Sequence, residues 1–122
     1  IIAIILFLLA AFILMCLVHE IIHGATYMIM GGKIKIGCKL IYMYTCEVSQ
    51  KQFTRIQFFL IIMSPVVILS LLSLILPGWL GSLIYVLNLL GSTGDICMGI
   101  GLCKYNYNSL FIDRVYGYDV IN

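Results

Sequence analysis

The sequence predicts an all-α membrane protein, three transmembrane helices with a short cytoplasmic β-hairpin between helices 1 and 2. Three observations carry this expectation. Of 122 residues, 63% are hydrophobic and 10% charged, with a mean hydropathy of +1.15, against about 25% charged in an average soluble domain. Three apolar stretches each approach or exceed the roughly 20 residues that cross a bilayer as helix. All seven Lys and Arg fall in two segments of the chain. Such a chain lacks the polar surface to face water all round, which excludes a soluble enzyme and a disordered chain. A net charge of +2 excludes a nucleic-acid binder. Residues 1–122 read as a single domain.

Residues 1–18 contain no polar side chain beyond Cys16, and the helical pattern runs on to Met30. The first span is therefore 1–30, too long and without the small-residue cleavage site of a removed leader. Gly31-Gly32 ends it. In the loop 31–55, Lys33-Ile34-Lys35-Ile36 alternates polar with apolar, and Leu40 to Val48 is rich in Ile, Tyr, Val and Thr. With Gly37 between them, these runs predict a hairpin at the membrane surface. The second span, 56–76, carries Ser64-Pro65, a kink signal, and Pro77-Gly78 turns the chain into the third, 79–103. Gly91, Gly94, Gly99 and Gly101 make that span the weakest helix, expected to unwind or kink near Gly91–Gly94. The tail 104–122 is polar and aromatic and is expected to lie against the same face as the loop.

Lys33, Lys35, Lys39, Lys51 and Arg55 lie between spans one and two, and Lys104 and Arg114 follow span three. The positive-inside rule then puts the loop and the C-terminus in the cytoplasm and the N-terminus outside. Five Cys is an odd number, and Cys38 and Cys46 fall in the cytoplasmic loop where thiols stay reduced, so no disulfide framework is implied. The cysteines have no zinc-type spacing.

The chain's only two histidines are His19 and His23, in His19-Glu20-Ile21-Ile22-His23. Residues i and i+4 of a helix share a face, so both imidazoles reach one ion, with Glu20 as general base of an HExxH zinc site. A zinc ion so held lowers the pKa of a bound water from 15.7 to roughly 7. HExxH also arises by chance on soluble surfaces. Inside a bilayer, however, a charged residue costs roughly 2.5–3.5 kcal/mol on insertion scales and marks a functional candidate by default. Cys16, His19, Glu20, His23 and Tyr27 follow helical spacing on one inward face.

A catalytic zinc keeps three protein ligands and one open position. The third span offers one acid, Asp95. Counted from the ends of their spans at about 1.5 Å per residue, His23 and Asp95 both lie roughly 10–12 Å inside. Asp95 could instead pair with a polar neighbour, but no Lys or Arg lies in any span. Glu47, Asp113 and Asp119 lie outside the spans and are weaker ligands. Asn88, two turns before Asp95, is a candidate substrate-binding amide or, equally, a hydrogen-bonding link between helices. The His₂-carboxylate set also suits iron in open sites.

These features resemble the site-2 protease superfamily of intramembrane zinc metallopeptidases, and more closely its small bacterial zincin peptidase members. His19-Glu20-Ile21-Ile22-His23-Gly24 stands where that family has its HExxH helix, followed by Gly31 to Gly37 as turn and surface strand. Ser64-Pro65 matches its small-residue–Pro pair, and Asn88 with Gly94-Asp95 resembles the element giving the third ligand, although the family order there is Leu-Asp-Gly. The resemblance implies a bacterial, multi-pass cell-membrane protein with Zn²⁺ on His19, His23 and Asp95 and Glu20 as base. It implies a transmembrane or membrane-associated protein substrate.

Two readings follow. In the first, the chain is a zinc-dependent intramembrane endopeptidase, its surface strand pairing with an extended substrate by β-addition. In the second, it is a non-catalytic zinc-binding membrane assembly or regulatory protein. That reading gives Glu20 no task and lacks a fourth protein ligand. A metal transporter would be expected to carry more intramembrane acids and internal repeats.

Overall fold

The structure is a computed structural model that describes residues 1–39, 42–114 and 117–121. In chain order the elements are α1 (Ile2–Ile29), β1 (Ile34–Lys39), β2 (Tyr42–Glu47), β3 (Phe53–Thr54), α2 (Arg55–Leu74), α3 (Gly78–Gly91), α4 (Thr93–Leu102), β4 (Leu110–Arg114) and β5 (Gly117–Ile121). The chain is largely helical but not all-α, because the tail expected only to lie on a surface folds as strands. The expected hairpin is present, with β1 and β2 antiparallel from Ile34↔Glu47 to Lys39↔Tyr42. A second, three-stranded sheet runs β3-β4-β5, all antiparallel. Leu40 and Ile41 of the predicted hairpin, and Val115, Tyr116 and Asn122 of the predicted tail, lie outside the described residues.

Among the described residues, two helices are long and apolar enough to cross a membrane. α1 has 28 residues, about 42 Å at 1.5 Å per residue, and α2 has 20, about 30 Å. The large apolar side chains from Ile1 to Leu9 are all exposed, as a lipid-facing helix requires. The third apolar segment is divided. α3 and α4 meet at Ser92 with a 55° bend, which by length and composition is a broken span or a re-entrant loop.

Local chemistry sets the boundaries. α1 ends in a Schellman motif: Gly32 N–H bonds the Tyr27 carbonyl at 2.8 Å and Gly31 N–H that of Met28 at 3.0 Å. Gly31 has φ +85°, open to glycine at no steric cost. α2 begins in a capping box, Thr54 Oγ1 accepting from Gln57 N–H at 3.2 Å and Gln57 Oε1 from Thr54 N–H at 3.1 Å. Gly24, one residue past His23, lets β1 lie close on α1; a methyl there would sit 2.6 Å from Ile34 Cδ1.

The core lies where α1 ends, beneath the sheets. Tyr27, Phe53, Phe58, Ile61, Leu102 and Phe111 form it. Phe58 of α2 stacks on Phe111 of β4 with centroids 5.6 Å apart, and Tyr118 of β5 meets both rings edge-on. That aromatic contact is what holds the tail to the helices.

Glu47 and Asp113 join the two sheets. Glu47 carboxylate oxygens accept from Lys33 N–H at 2.9 Å, from Ser49 N–H at 2.8 Å and Ser49 hydroxyl, and from Lys51 N–H at 3.1 Å. Its own N–H donates to Asp113 Oδ2 at 2.8 Å, and the Tyr27 hydroxyl bonds Asp113 as well. Burial raises the Glu47 carboxyl, but those donors outweigh it and hold the group below its usual range. For Asp113, burial wins: aided by the Glu47 charge, it pushes the carboxyl up to about 6.

The two shifts act oppositely on stability. A raised carboxyl favours the fold while protonated, so the Asp113 contribution is fully present below the ordinary value of 3.8 and lost as pH rises through 6. The lowered Glu47 contributes above its ordinary 4.5 and is lost on acidification. Thermal unfolding in detergent from pH 4 to 8 is therefore expected to show the Tm of wild type falling relative to Asp113→Asn, with an inflection near 6. A Tm difference that stays flat across that range would remove Asp113 as the titrating group.

Candidate metal centre

Three helices bring the site together. His19 and His23 lie one turn apart on α1, both buried, their rings edge to face with centroids 4.8 Å apart. Asp95 lies in the first turn of α4, where a carboxylate complements the helix dipole. The bend at Ser92 directs that turn toward α1. His19 Nε2 is 2.8 Å and His23 Nε2 3.0 Å from the same oxygen, Asp95 Oδ2.

One ligand atom from each of these residues lies within 4.8 Å of the other two, and this is the one such group of His, Cys, Asp or Glu found among the described residues. The donor set suits zinc: two imidazole nitrogens and one carboxylate oxygen, all aimed at one point. The remaining ring nitrogens face away and have partners of their own. His23 Nδ1 lies 3.0 Å from the Ile61 carbonyl, and His19 Nδ1 3.4 Å from Ser92 Oγ. Metal-binding histidines characteristically donate their second N–H in this way, which fixes ring and tautomer.

Glu20 is half-buried between the two histidines in sequence and lines a cavity of about 340 Å³ with His23 and Asp95. Met43 and Thr45 of β2 and Asp113 of β4 form other parts of its wall. Thr45 ties that wall to α1, its hydroxyl donating to the Glu20 carbonyl at 2.9 Å. A second space of about 180 Å³, bounded in part by Phe12, Met15 and Gly91, also reaches His19 and Glu20. The base candidate thus borders open volume on both counts.

Asn88 is placed differently from a substrate-binding group. It is 0% exposed, its Nδ2 donating to the Val66 carbonyl at 3.2 Å and to Ser70 Oγ at 3.3 Å, while its Oδ1 accepts from Ser92 Oγ at 3.3 Å. Its amide is committed within the bundle, where it holds the serine that faces His19. Glu47 and Asp119 stand apart from the ligands, Asp119 pairing with Arg114 at 2.8 Å. Asp113 is the acid the loops bring to the cavity wall. The sequence marks it only as an acid outside the spans, and nothing local signals that β4 folds back onto α2 and β2.

A model of the family described as "Putative zincin peptidase" matches residues 12–110, most of the chain, and the chain belongs to that family. The match includes His19, Glu20, His23 and Asp95. No curated protein and no solved structure matches the chain. Membership of a zincin family implies zinc, and His19, His23 and Asp95 are a group that could hold it.

Detergent-purified wild type is expected to carry about one zinc per chain, as one three-ligand site requires, and His23→Ala and Asp95→Ala to carry none. Elemental mass spectrometry reads both. Zinc retained in Asp95→Ala but lost in His23→Ala would move the third ligand to another residue.

Proposed function

We propose that this member of the zincin family is a zinc-dependent intramembrane endopeptidase of the site-2 protease type. It would cut a peptide bond within or beside the membrane segment of a protein substrate. The observation that carries the reading is the convergence of His19 and His23 on Asp95, with Glu20 lining the same cavity. Zinc bound there would polarise a peptide carbonyl and acidify water.

The chain's own residues supply the rest. Glu20 takes a proton from the attacking water as its oxygen bonds to the carbonyl carbon. It returns that proton to the amine nitrogen as the C–N bond breaks. His19 and His23 stay fixed through Ser92 and the Ile61 carbonyl. β2, which pairs with β1 and has no strand on its other edge among the described residues, would pair with an extended substrate beside the cavity. An apolar space of about 400 Å³, bounded in part by Phe7, Leu14, Leu69 and Leu87, shares Met15 with the smaller space at Glu20. It gives a membrane-embedded substrate an apolar approach.

We read α3 and α4 together as a third span, broken at Ser92. Irregular backbone at membrane depth is tolerated where it borders a cavity or is buried in protein, and Ser92 is 0% exposed. With three spans, the seven Lys and Arg would all fall at the end carrying the sheets, which by the positive-inside rule supports a cytoplasmic position for that end and the C-terminus. The alternative, a non-catalytic zinc protein of assembly or regulation, calls for a closed four-ligand site and leaves Glu20 beside a cavity without a task.

Glu20→Gln is expected to keep its zinc yet lose cleavage of single-span peptides in liposomes by about 10²–10⁴-fold, the usual contribution of a general base. Cleavage by that variant at the wild-type rate would exclude Glu20 as the base. Zinc retained with no cleavage by wild type of any peptide in a broad single-span library would favour the non-catalytic reading.

A further inference from the structure

Ile61 lies in the interior of α2, where its carbonyl would ordinarily accept the N–H of residue 65. Residue 65 is Pro65, inside the same helix, and proline has no N–H to give. The carbonyl so released points at α1. His23 Nδ1 lies 3.0 Å from it, and Ser64 Oγ donates to it at 2.9 Å. Ser64 Oγ in turn lies 2.9 Å from the hydroxyl of Thr26, whose one hydrogen is shared between Ser64 and the Ile22 carbonyl, also at 2.9 Å. One missing backbone donor therefore anchors α1 to α2 at two residues three apart, His23 directly and Thr26 through Ser64.

We infer that Pro65 is a positioning residue of the metal centre, acting through the Ile61 carbonyl on His23. The inference rests on the metal-site reading above. A carbonyl oxygen only accepts, so His23 Nδ1 must carry the hydrogen; Nε2, which without an ion faces the Asp95 carboxylate at 3.0 Å, then offers its lone pair when an ion takes the place of that contact. The helix break and the imidazole tautomer are thus one feature. His19 is held by a different device, the Ser92 hydroxyl backed by the Asn88 amide, which reaches α2 only through the Val66 carbonyl and Ser70, so loss of Pro65 should act on His23 directly and on His19 only at several removes.

Pro65→Ala supplies the N–H that competes for the Ile61 carbonyl. The full-length protein in detergent is titrated with Co²⁺ and then Zn²⁺, following the visible bands of the cobalt form. Pro65→Ala is expected to bind both ions about 10–100-fold more weakly than wild type, the usual loss when such an outer partner is removed. Nitrogen-15 NMR of the zinc-loaded imidazoles supplies a readout that mere helix straightening would not move. Wild-type His23 is expected to show a metal-bound Nε2 and a protonated, solvent-protected Nδ1, and Pro65→Ala to lose that protection at His23 but not at His19. Wild-type affinity in Pro65→Ala, with His23 Nδ1 still protected, would overturn the inference and leave the metal site standing. No Co²⁺ or Zn²⁺ bound by wild type would overturn both. Should Pro65→Ala not fold, the wild-type spectrum decides: His23 bound through Nδ1, or an exposed Nδ1–H, refutes the assignment.

Discussion

The bonds of 2.8 and 3.0 Å from His19 and His23 to one oxygen of Asp95 tie α1 to α4 inside an otherwise apolar set of helices. Polar groups taken from water must satisfy one another or be lost as stability. The surrounding helices are arranged to that end. α2 offers a backbone carbonyl to one imidazole, and the junction of α3 and α4 offers Ser92 to the other. Asn88 is then needed behind Ser92, and Val66 and Ser70 behind Asn88. The polar network runs outward through three helices until every donor has a partner, and no buried side-chain N or O among the described residues is left without one.

Above this network the two small sheets serve the cavity. The hairpin reaches it with Met43 and Thr45, and the second sheet with Asp113. Neither sheet is large enough to stand alone in water. Each is held by what it touches: the hairpin by Thr45 on the Glu20 carbonyl, the other by the stack of Phe111 on Phe58. The Glu47–Asp113 bond then locks one sheet to the other.

Much of this was legible in the sequence because it is local or because the membrane makes it costly. Helical spacing places His19, Glu20 and His23 on one face, Gly31-Gly32 ends the helix, and alternation marks the hairpin. Asp95 stood out because acids are scarce in apolar spans. The sequence predicts only that the tail lies against a membrane face, because β4 pairs with β3, a strand of two residues more than fifty positions earlier, and no periodicity in Leu110–Arg114 announces that partner. The broken third helix was foreseen near its glycines, but not that Ser92 at the break would face His19. Ser64-Pro65 was recognised as a kink, with the serine repairing the backbone; that the freed carbonyl would serve an imidazole depends on how α1 crosses α2, which spacing within one helix does not encode.

Asp95 stands 76 residues after His19 and 72 after His23. Chains emerge from the ribosome in order, so the helix bearing both histidines and the glutamate is made well before Asp95 exists. At about 5–20 residues per second, several seconds separate the two. During that interval the buried imidazoles lack the carboxylate they meet in the finished fold. The order of synthesis thus leaves the polar face of α1 uncompleted until the final helix has docked.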